Sequence, residues 1–490
     1  MTLFPFENSY SSLPERFYAR LPPTKVTSPG LIRINSDLAT DLGLDPDNLT
    51  SEQAVEVLAG NRVPEQSKPI ALAYAGHQFG AWVPSLGDGR AILLGELRNK
   101  SGQLYDLQLK GSGRTPFSRN GDGRAWLGPI LREFIVSEAI HNLGIPSTRT
   151  LSALSTGDKI FRERPYPGGI LTRVAKSHIR VGTFQYFYAR QDYEALNLLA
   201  NYLIDRNYPD LKTSERPLLA LLDQIVEGQA KLIAKWMSVG FIHGVMNTDN
   251  TSLSCETIDF GPCAFIDRYQ ANKVFSSIDI NGRYAYANQP MIAHWNLAQF
   301  ATTLVPILQL EEKTAIKLVS ESINKFPQLY LDNWLAIFGK KLGLQNPSPD
   351  DFELISGFLN KLEEAEADFT LTFRTLSTIF AKELAPSNFD AFANSPKLII
   401  DWLPSWFERL EKEQVKEEER LQLMQQVNPV YIPRNHQIEK AIVEAVKGNF
   451  ERFHTMVEVL KTPYIYQPEF EEFEKIPGED EVVTKTFCGT

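Results

Sequence analysis

Residues 243–261 read HGVMNTDNTSLSCETIDFG, and the order of oxygen-bearing side chains in them decides how the rest of the chain is read. Asn250 is followed nine residues later by Asp259, which opens the triplet Asp259-Phe260-Gly261. A carboxylate and a carboxamide at this spacing offer oxygen ligands to a hard cation such as Mg²⁺ bridging phosphates. Asp-Phe-Gly is common by chance, so its weight comes from what precedes it. One position is unexpected. Where a phosphotransferase with a His-Gly-Asp loop carries its base, this chain has Val245, which can neither accept a proton nor bind metal. The next carboxylate is Asp249. The base has therefore moved, the chemistry differs, or there is none.

Working outward toward the N-terminus, Leu86-Gly87-Asp88-Gly89-Arg90-Ala91 precedes the apolar run Ile92-Leu93-Leu94. Glycines between apolar runs suit a strand–turn–strand loop whose backbone approaches a phosphate, although taken alone the same pattern fits a simple hairpin turn. Lys110 closes the alternating run Leu107-Gln108-Leu109, where a strand lysine can grip phosphates. Residues 129–142 are predicted to be helical: Pro129 sits near the start, Ile130, Phe134, Ile135 and Ile140 recur at helical spacing, and Gly144 closes the segment. This helix offers Glu133 and Glu138 as partners for Lys110, with Glu133 the better placed. Arg173 and Arg180, in Leu171-Thr172-Arg173-Val174 and His178-Ile179-Arg180-Val181, are candidate clamps for a triphosphate. The turn Asn120-Gly121-Asp122-Gly123-Arg124 adds glycine and further charge. Gly-rich loop, strand lysine, helical glutamate, Asn and Asp-Phe-Gly in this order point to a protein-kinase-like nucleotide site.

The predicted fold class is α+β: a protein-kinase-like two-lobed fold with an N-terminal extension and a helical C-terminal region. Residues 1–75 read as a wrapping extension, with a short helix around Ser51–Leu58. Residues 76–190 read as the strand-rich lobe with the nucleotide loop. Residues 191–462 read as a mostly helical lobe with the catalytic and metal motifs, including a helix over Leu218–Val239, and 463–490 as an irregular acidic tail. The charge run Glu411–Arg420, EKEQVKEEER, reads as a solvated helix face.

Bulk properties narrow the classes further. The 490 residues carry 60 acidic and 50 basic side chains, a formal net charge of −10, which argues against a general nucleic-acid binder. Three cysteines, Cys255, Cys263 and Cys488, make no disulfide framework and no zinc spacing. No basic start followed by an apolar run suggests a secretory signal, and no segment approaches the roughly 20 apolar residues of a membrane span. The expectation is a cytoplasmic protein without a membrane partner.

The stretches AYAGHQFG, LGDGRA, LQLKGSGRTPFSR, GDGRAWLGPILREFIVSEA, LTRVAKSHIRVGTF, HGVMNTDN, DFGPCAFID and GRYAYANQPMIAHWNL, with NPVYIPRNHQIEKAI at 428–442, resemble the selenoprotein O family. The resemblance implies a kinase-like fold used for nucleotidyl transfer, with ATP bound so that its α-phosphate faces the acceptor. AMP, or UMP from UTP in some bacterial members, passes to Ser, Thr or Tyr hydroxyls of protein substrates and pyrophosphate leaves. By position, Gly87, Gly89, Arg90, Lys110, Asp122, Gly123, Arg173 and Arg180 correspond to nucleotide contacts, with Glu133 pairing Lys110. Asp249 corresponds to the proton acceptor, and Asn250 and Asp259 to ligands of Mg²⁺ or Mn²⁺. The resemblance also implies a restraining disulfide between a C-terminal cysteine and one in the activation segment. This chain ends Phe487-Cys488-Gly489-Thr490, with one cysteine and no selenocysteine.

Overall fold

The computed structural model describes residues 3–380 and 395–487. It is a mixed α/β structure with a helical C-terminal region. Among the described residues, ten strands precede residue 176: β1 (Tyr18–Arg20), β2 (Gly30–Ile34), β3 (Ile70–Leu72), β4 (Gly76–Gln78), β5 (Ala81–Val83), β6 (Ala91–Arg98), β7 (Leu104–Lys110), β8 (Ala125–Trp126), β9 (Arg149–Phe161) and β10 (Pro165–Ala175). The main sheet runs in the order β1-β3-β6-β7-β10-β9-β2, with β8 paired to β10 and every pairing antiparallel. Strands from the first 75 residues thus form both edges of the sheet.

Side-chain alternation divides the sheet into two faces. Leu107 and Leu109 of β7, Leu154 of β9 and Ile170 and Val174 of β10 pack with Leu38, Leu49, Val57 and Leu58 of the N-terminal segment, which includes helices α1 (Ser36–Asp41) and α2 (Glu52–Leu58). Ser51 caps α2 by accepting from the Ala54 amide. In β6, Leu93 faces one core while Leu94 and Leu97 face the other, because a register shift at Gly95 interrupts the alternation. On β7, Gln108 and Lys110 point to the face opposite Leu107 and Leu109. There Gln108 lies opposite Arg173 in the β7–β10 register.

Helix α3 (Leu127–Asn142) crosses that face. It begins two residues earlier than its sequence signals suggest and ends at Asn142, followed by Leu143 and then Gly144, whose φ of +76° suits the position after a helix C-cap. Most of its length is buried, because the sheet covers one side and the helices Asn435–Val446 and Glu451–Val459 pack on it as well. Helices α4 (Val181–Tyr188) and α5 (Tyr193–Asn207) lead into α6 (Pro217–Ser238), which starts with Pro217 and is followed by Gly240 at φ +68°. A two-residue pairing of β11 (Phe241–Ile242) with β12 (Ala264–Phe265) brackets the irregular segment that carries Asp249, Asn250 and Asp259. Then α7 (Gln289–Leu304) opens the helical region.

The run Glu411–Arg420 is not one solvated helix face. A helix ends at Glu411, another starts at Glu417, and Arg420 is buried, donating to the carbonyls of Gly343 and Leu410 while facing Glu413. The tail is pinned near its end. The Thr486 amide donates to the Phe275 carbonyl at 2.8 Å, and its hydroxyl donates to the Pro262 carbonyl at 2.5 Å. Cys488 lies outside the described residues. Cys255 and Cys263 are free thiols, each pushed up to about 12 by burial. Among the described residues, no helix is long and apolar enough to cross a membrane.

Candidate active site

A cavity of about 570 Å³ opens between the sheet and the irregular segment after α6. Gly87, Gly89, Arg90, Lys110, Asp122, Gly123, Arg173, Arg180, Asp249, Asn250 and Asp259 all line it. Glu133 stands behind this lining, on α3. The lining carries more cationic side chains than acidic ones although the whole chain is acidic, so its charge suits a polyanion.

Its centre is a buried network of alternating charge. Lys110 Nζ pairs with Glu133 Oε2 and lies 3.4 Å from Asp259 Oδ1. Arg173 donates to Glu133 Oε1 from Nε at 2.8 Å and from Nη2 at 2.6 Å, and Nη2 reaches Asp259 Oδ1 at 2.7 Å. Arg180 Nη1 donates to Asp259 Oδ2 at 3.1 Å and to the Asp249 carbonyl at 2.7 Å. Burial alone would raise the Asp259 carboxyl, but Arg173, Lys110 and Arg180 together hold it well below the usual range. Glu133 is likewise lowered against its burial by Arg173 and Lys110. Glu138, the alternative partner for Lys110, instead binds Arg149 at 2.6 Å and accepts from Asn35 at 2.7 Å. Arg173 is almost fully buried, and both arginines are engaged with carboxylates rather than extended as an open clamp.

The two glycines of the Gly87–Gly89 loop face protein rather than open space. A Cβ on Gly87 would meet the Phe117 ring at 2.4 Å, and one on Gly89 would meet the Phe117 carbonyl at 2.9 Å. The loop is not a simple hairpin. The Leu86 and Asp88 amides donate to the Tyr74 and Leu72 carbonyls, laying it alongside the chain that follows β3. Gly123, at φ +68°, packs against the Gly113 carbonyl, and Asp122 pairs with Arg162 at 2.9 Å.

Asp249 differs from Asp259 in every respect that matters for proton transfer. It sits in a single 3-10 turn, Thr248–Asn250, and is buried. Its Oδ2 accepts from Gln78 Nε2 at 3.1 Å, whereas Oδ1 has no hydrogen-bond partner. Burial pushes its carboxyl up to about 6 against the pull of Gln78 and Arg180. Such a group is mostly ionised at neutral pH yet more basic than an ordinary carboxylate. Neighbouring Asn250 turns its Nδ2 to the Val245 carbonyl at 3.0 Å. Asn250 and Asp259 both line the cavity, and their side-chain oxygens are of the kind that a hard cation completed by phosphate oxygens takes. Among the described residues, no cluster of three or more His, Cys, Asp or Glu side chains offers a self-sufficient metal cage.

Several supporting residues carry no motif of their own. Arg132, one residue before Glu133, donates to the Gly261 carbonyl at 3.1 Å and the Cys263 carbonyl at 2.5 Å, tying α3 to the Asp-Phe-Gly turn. His243 joins both ends of the irregular segment: its Nε2 reaches the Ile258 carbonyl at 2.8 Å, and its Nδ1 accepts from the Val245 amide at 3.3 Å. Asp88 accepts from Gln108 at 3.0 Å and from the Leu72 amide at 3.1 Å, and Arg180 lies over the Tyr74 ring. Asp88 within the Gly-Asp-Gly stretch and His243 at the head of the His-Gly turn are the sequence signals in this set; Arg132 and Tyr74 have none.

The comparisons with known proteins supply the class to which this chain belongs: nucleotidyltransferases that act on proteins. Residues 1–461 match the family described as protein adenylyltransferase SelO, and the chain belongs to that family. It is similar to the protein nucleotidyltransferase YdiU of Nitrobacter hamburgensis, 52% identical over 485 residues that cover 99% of this chain and 96% of that protein. It is also similar to the protein nucleotidyltransferase YdiU of Rhizobium meliloti, 50% identical over 491 residues and the full length of both.

Proposed function

We propose that the sheet-bearing and helical parts act as the two lobes of a protein-kinase-like body, and that the cavity between them holds ATP, or UTP, for transfer of its nucleotidyl group to a Ser, Thr or Tyr hydroxyl of a protein. Gly87, Gly89, Arg90, Asp122 and Gly123 contact the nucleotide from the loop side. Lys110, Arg173 and Arg180 supply the positive field for its phosphates, and Glu133 holds Lys110 and Arg173 in place. Asn250 and Asp259 would hold a Mg²⁺ or Mn²⁺ ion, whose chemistry when bound is to neutralise charge on phosphate oxygens. Asp249 accepts the proton of the acceptor hydroxyl. The hydroxyl oxygen forms a bond to the α-phosphorus, the bond from that phosphorus to the bridging oxygen breaks, and pyrophosphate leaves with the electron pair.

The observation that carries this reading is the division of labour between two carboxylates. Asp259 is neutralised by three cations and is too weakly basic to take a proton. Asp249 has an unpartnered oxygen and a raised basicity, and Val245 fills the place where a His-Gly-Asp loop carries its base. The hydroxyl acceptor is tested by peptide mapping of a modified substrate protein. The nucleotide is expected on Ser, Thr or Tyr side chains. Adducts confined to lysine or histidine would contradict the proton-transfer role of Asp249.

A further inference from the structure

The hairpin of β4 and β5 lies outside the main sheet and reaches across to the turn that bears Asp249. Its contacts are specific and made from one short stretch. The His77 amide donates to Thr248 Oγ1 at 2.7 Å, the Phe79 amide donates to Asn247 Oδ1 at 3.0 Å, and Gln78 Nε2 donates to Asp249 Oδ2 at 3.1 Å. Three successive residues therefore engage Asn247, Thr248 and Asp249, the residue before the turn and its first two. The hairpin is itself anchored. His77 Nδ1 lies 3.0 Å from Gln185 Nε2 on α4, its ring contacts Trp82 and Trp295, and the Phe79 ring lies against Tyr284.

Gly76 completes the enclosure. A Cβ built there would stand 2.7 Å from Asp249 Oδ1, 3.0 Å from its Cβ and 3.1 Å from its amide nitrogen. The backbone of Gly76 is not in the left-handed region, so glycine is needed there for space and not for conformation. A Cβ on Gly182, which packs on the neighbouring Ala75 carbonyl, would stand 3.2 Å from the Asp249 Cα. The carboxylate thus lies against Gly76, with one oxygen tied by Gln78 and the other left without a partner.

We propose that Gln78 and Gly76 are positioning residues for the transfer reaction: the hairpin arm fixes the Asp249 carboxylate by one amide hydrogen bond and one close glycine contact. The inference rests on Asp249 being the proton acceptor. Neither residue touches the reacting atoms; both act through that side chain. A carboxylate held in one orientation needs no rearrangement when the hydroxyl arrives, and loss of orientation is felt in turnover rather than in nucleotide binding.

The test uses the full chain with Gln78→Leu, Gln78→Glu and Gly76→Ala, measuring kcat and the KM for ATP of nucleotide transfer to protein, with thermal melting as the folding control. Gln78→Leu is expected to lower kcat about tenfold, as for one oriented hydrogen bond, with KM for ATP nearly unchanged. Gln78→Glu has the same size but cannot donate when ionised, so it should lower kcat at least as much, and Gly76→Ala should also lower it. In an Asp249→Ala background, Gln78→Leu should cost nothing further. Native kcat in Gln78→Glu would overturn the proposal, as would the same loss from Gln78→Leu with and without Asp249. A native rate for Asp249→Ala alone would overturn it from beneath by removing the base, a result distinguishable from failure at Gln78.

Discussion

Asp249→Ala is expected to lower nucleotide transfer by roughly 10²–10⁴-fold while leaving ATP binding nearly intact, because a positioned general base contributes about that factor. The acceptor hydroxyl is a poor nucleophile until its proton is taken. Asp249 is a cavity carboxylate with one oxygen lacking any hydrogen-bond partner and with basicity raised by burial. Its side chain makes no ion pair, so removing it leaves no buried cation exposed, and the variant should fold. Single-turnover transfer and equilibrium ATP binding, measured on the same preparation, separate the two effects. Unchanged transfer would place the base elsewhere.

Asp259→Ala is expected to have an effect at least as large, about 10³-fold or more on transfer, for a different physical reason. Lys110, Arg173 and Arg180 converge on this one carboxylate, and the remaining carboxylates, Glu133 beside Lys110 and Arg173 and Asp88 at 3.9 Å from Arg180, are too few to neutralise all three. Without Asp259 the cations lose the arrangement that presents them to phosphates, and the Asn250–Asp259 oxygen pair is broken. Several kcal/mol of charge stabilisation in the transition state correspond to a factor of this size. Asp259→Asn keeps the volume and one oxygen, and is the control for folding. ATP binding should weaken along with transfer, unlike Asp249→Ala. Retention of most activity would remove Asp259 from the site.

The parts of this account legible in the sequence are those that depend on local pattern. The helix bearing Glu133, the helix ending before Gly240 and the strand ending at Lys110 all announce themselves through apolar spacing and terminal Pro or Gly. The choice of Glu133 over Glu138 needed only the direction of one helix. Residues joined across long separations left no such trace. Gln78 and Asp249 are 171 positions apart, and nothing in the HQF stretch indicates that its amides meet a turn after α6. Strand pairing at both edges of the sheet by residues near the N-terminus was equally hidden, because β1 and β2 are short and the segment between them is rich in Pro. A packing need at Gly87 and Gly89 was also hidden, since a Cβ on either would meet Phe117. Arg173 looked like an open phosphate clamp, and its burial between Glu133 and Asp259 emerges only when β10 is placed beside β7.

The central claim is that the α-phosphorus, and not the γ-phosphorus, is attacked. The direct measurement is parallel incubation of the enzyme and a protein acceptor with ATP labelled at the α-phosphate and with ATP labelled at the γ-phosphate. The account predicts that the α-label becomes covalently attached to protein while the γ-label is released in pyrophosphate. Attachment of the γ-label with none of the α-label would contradict it, and would make the molecule a phosphotransferase with a relocated base.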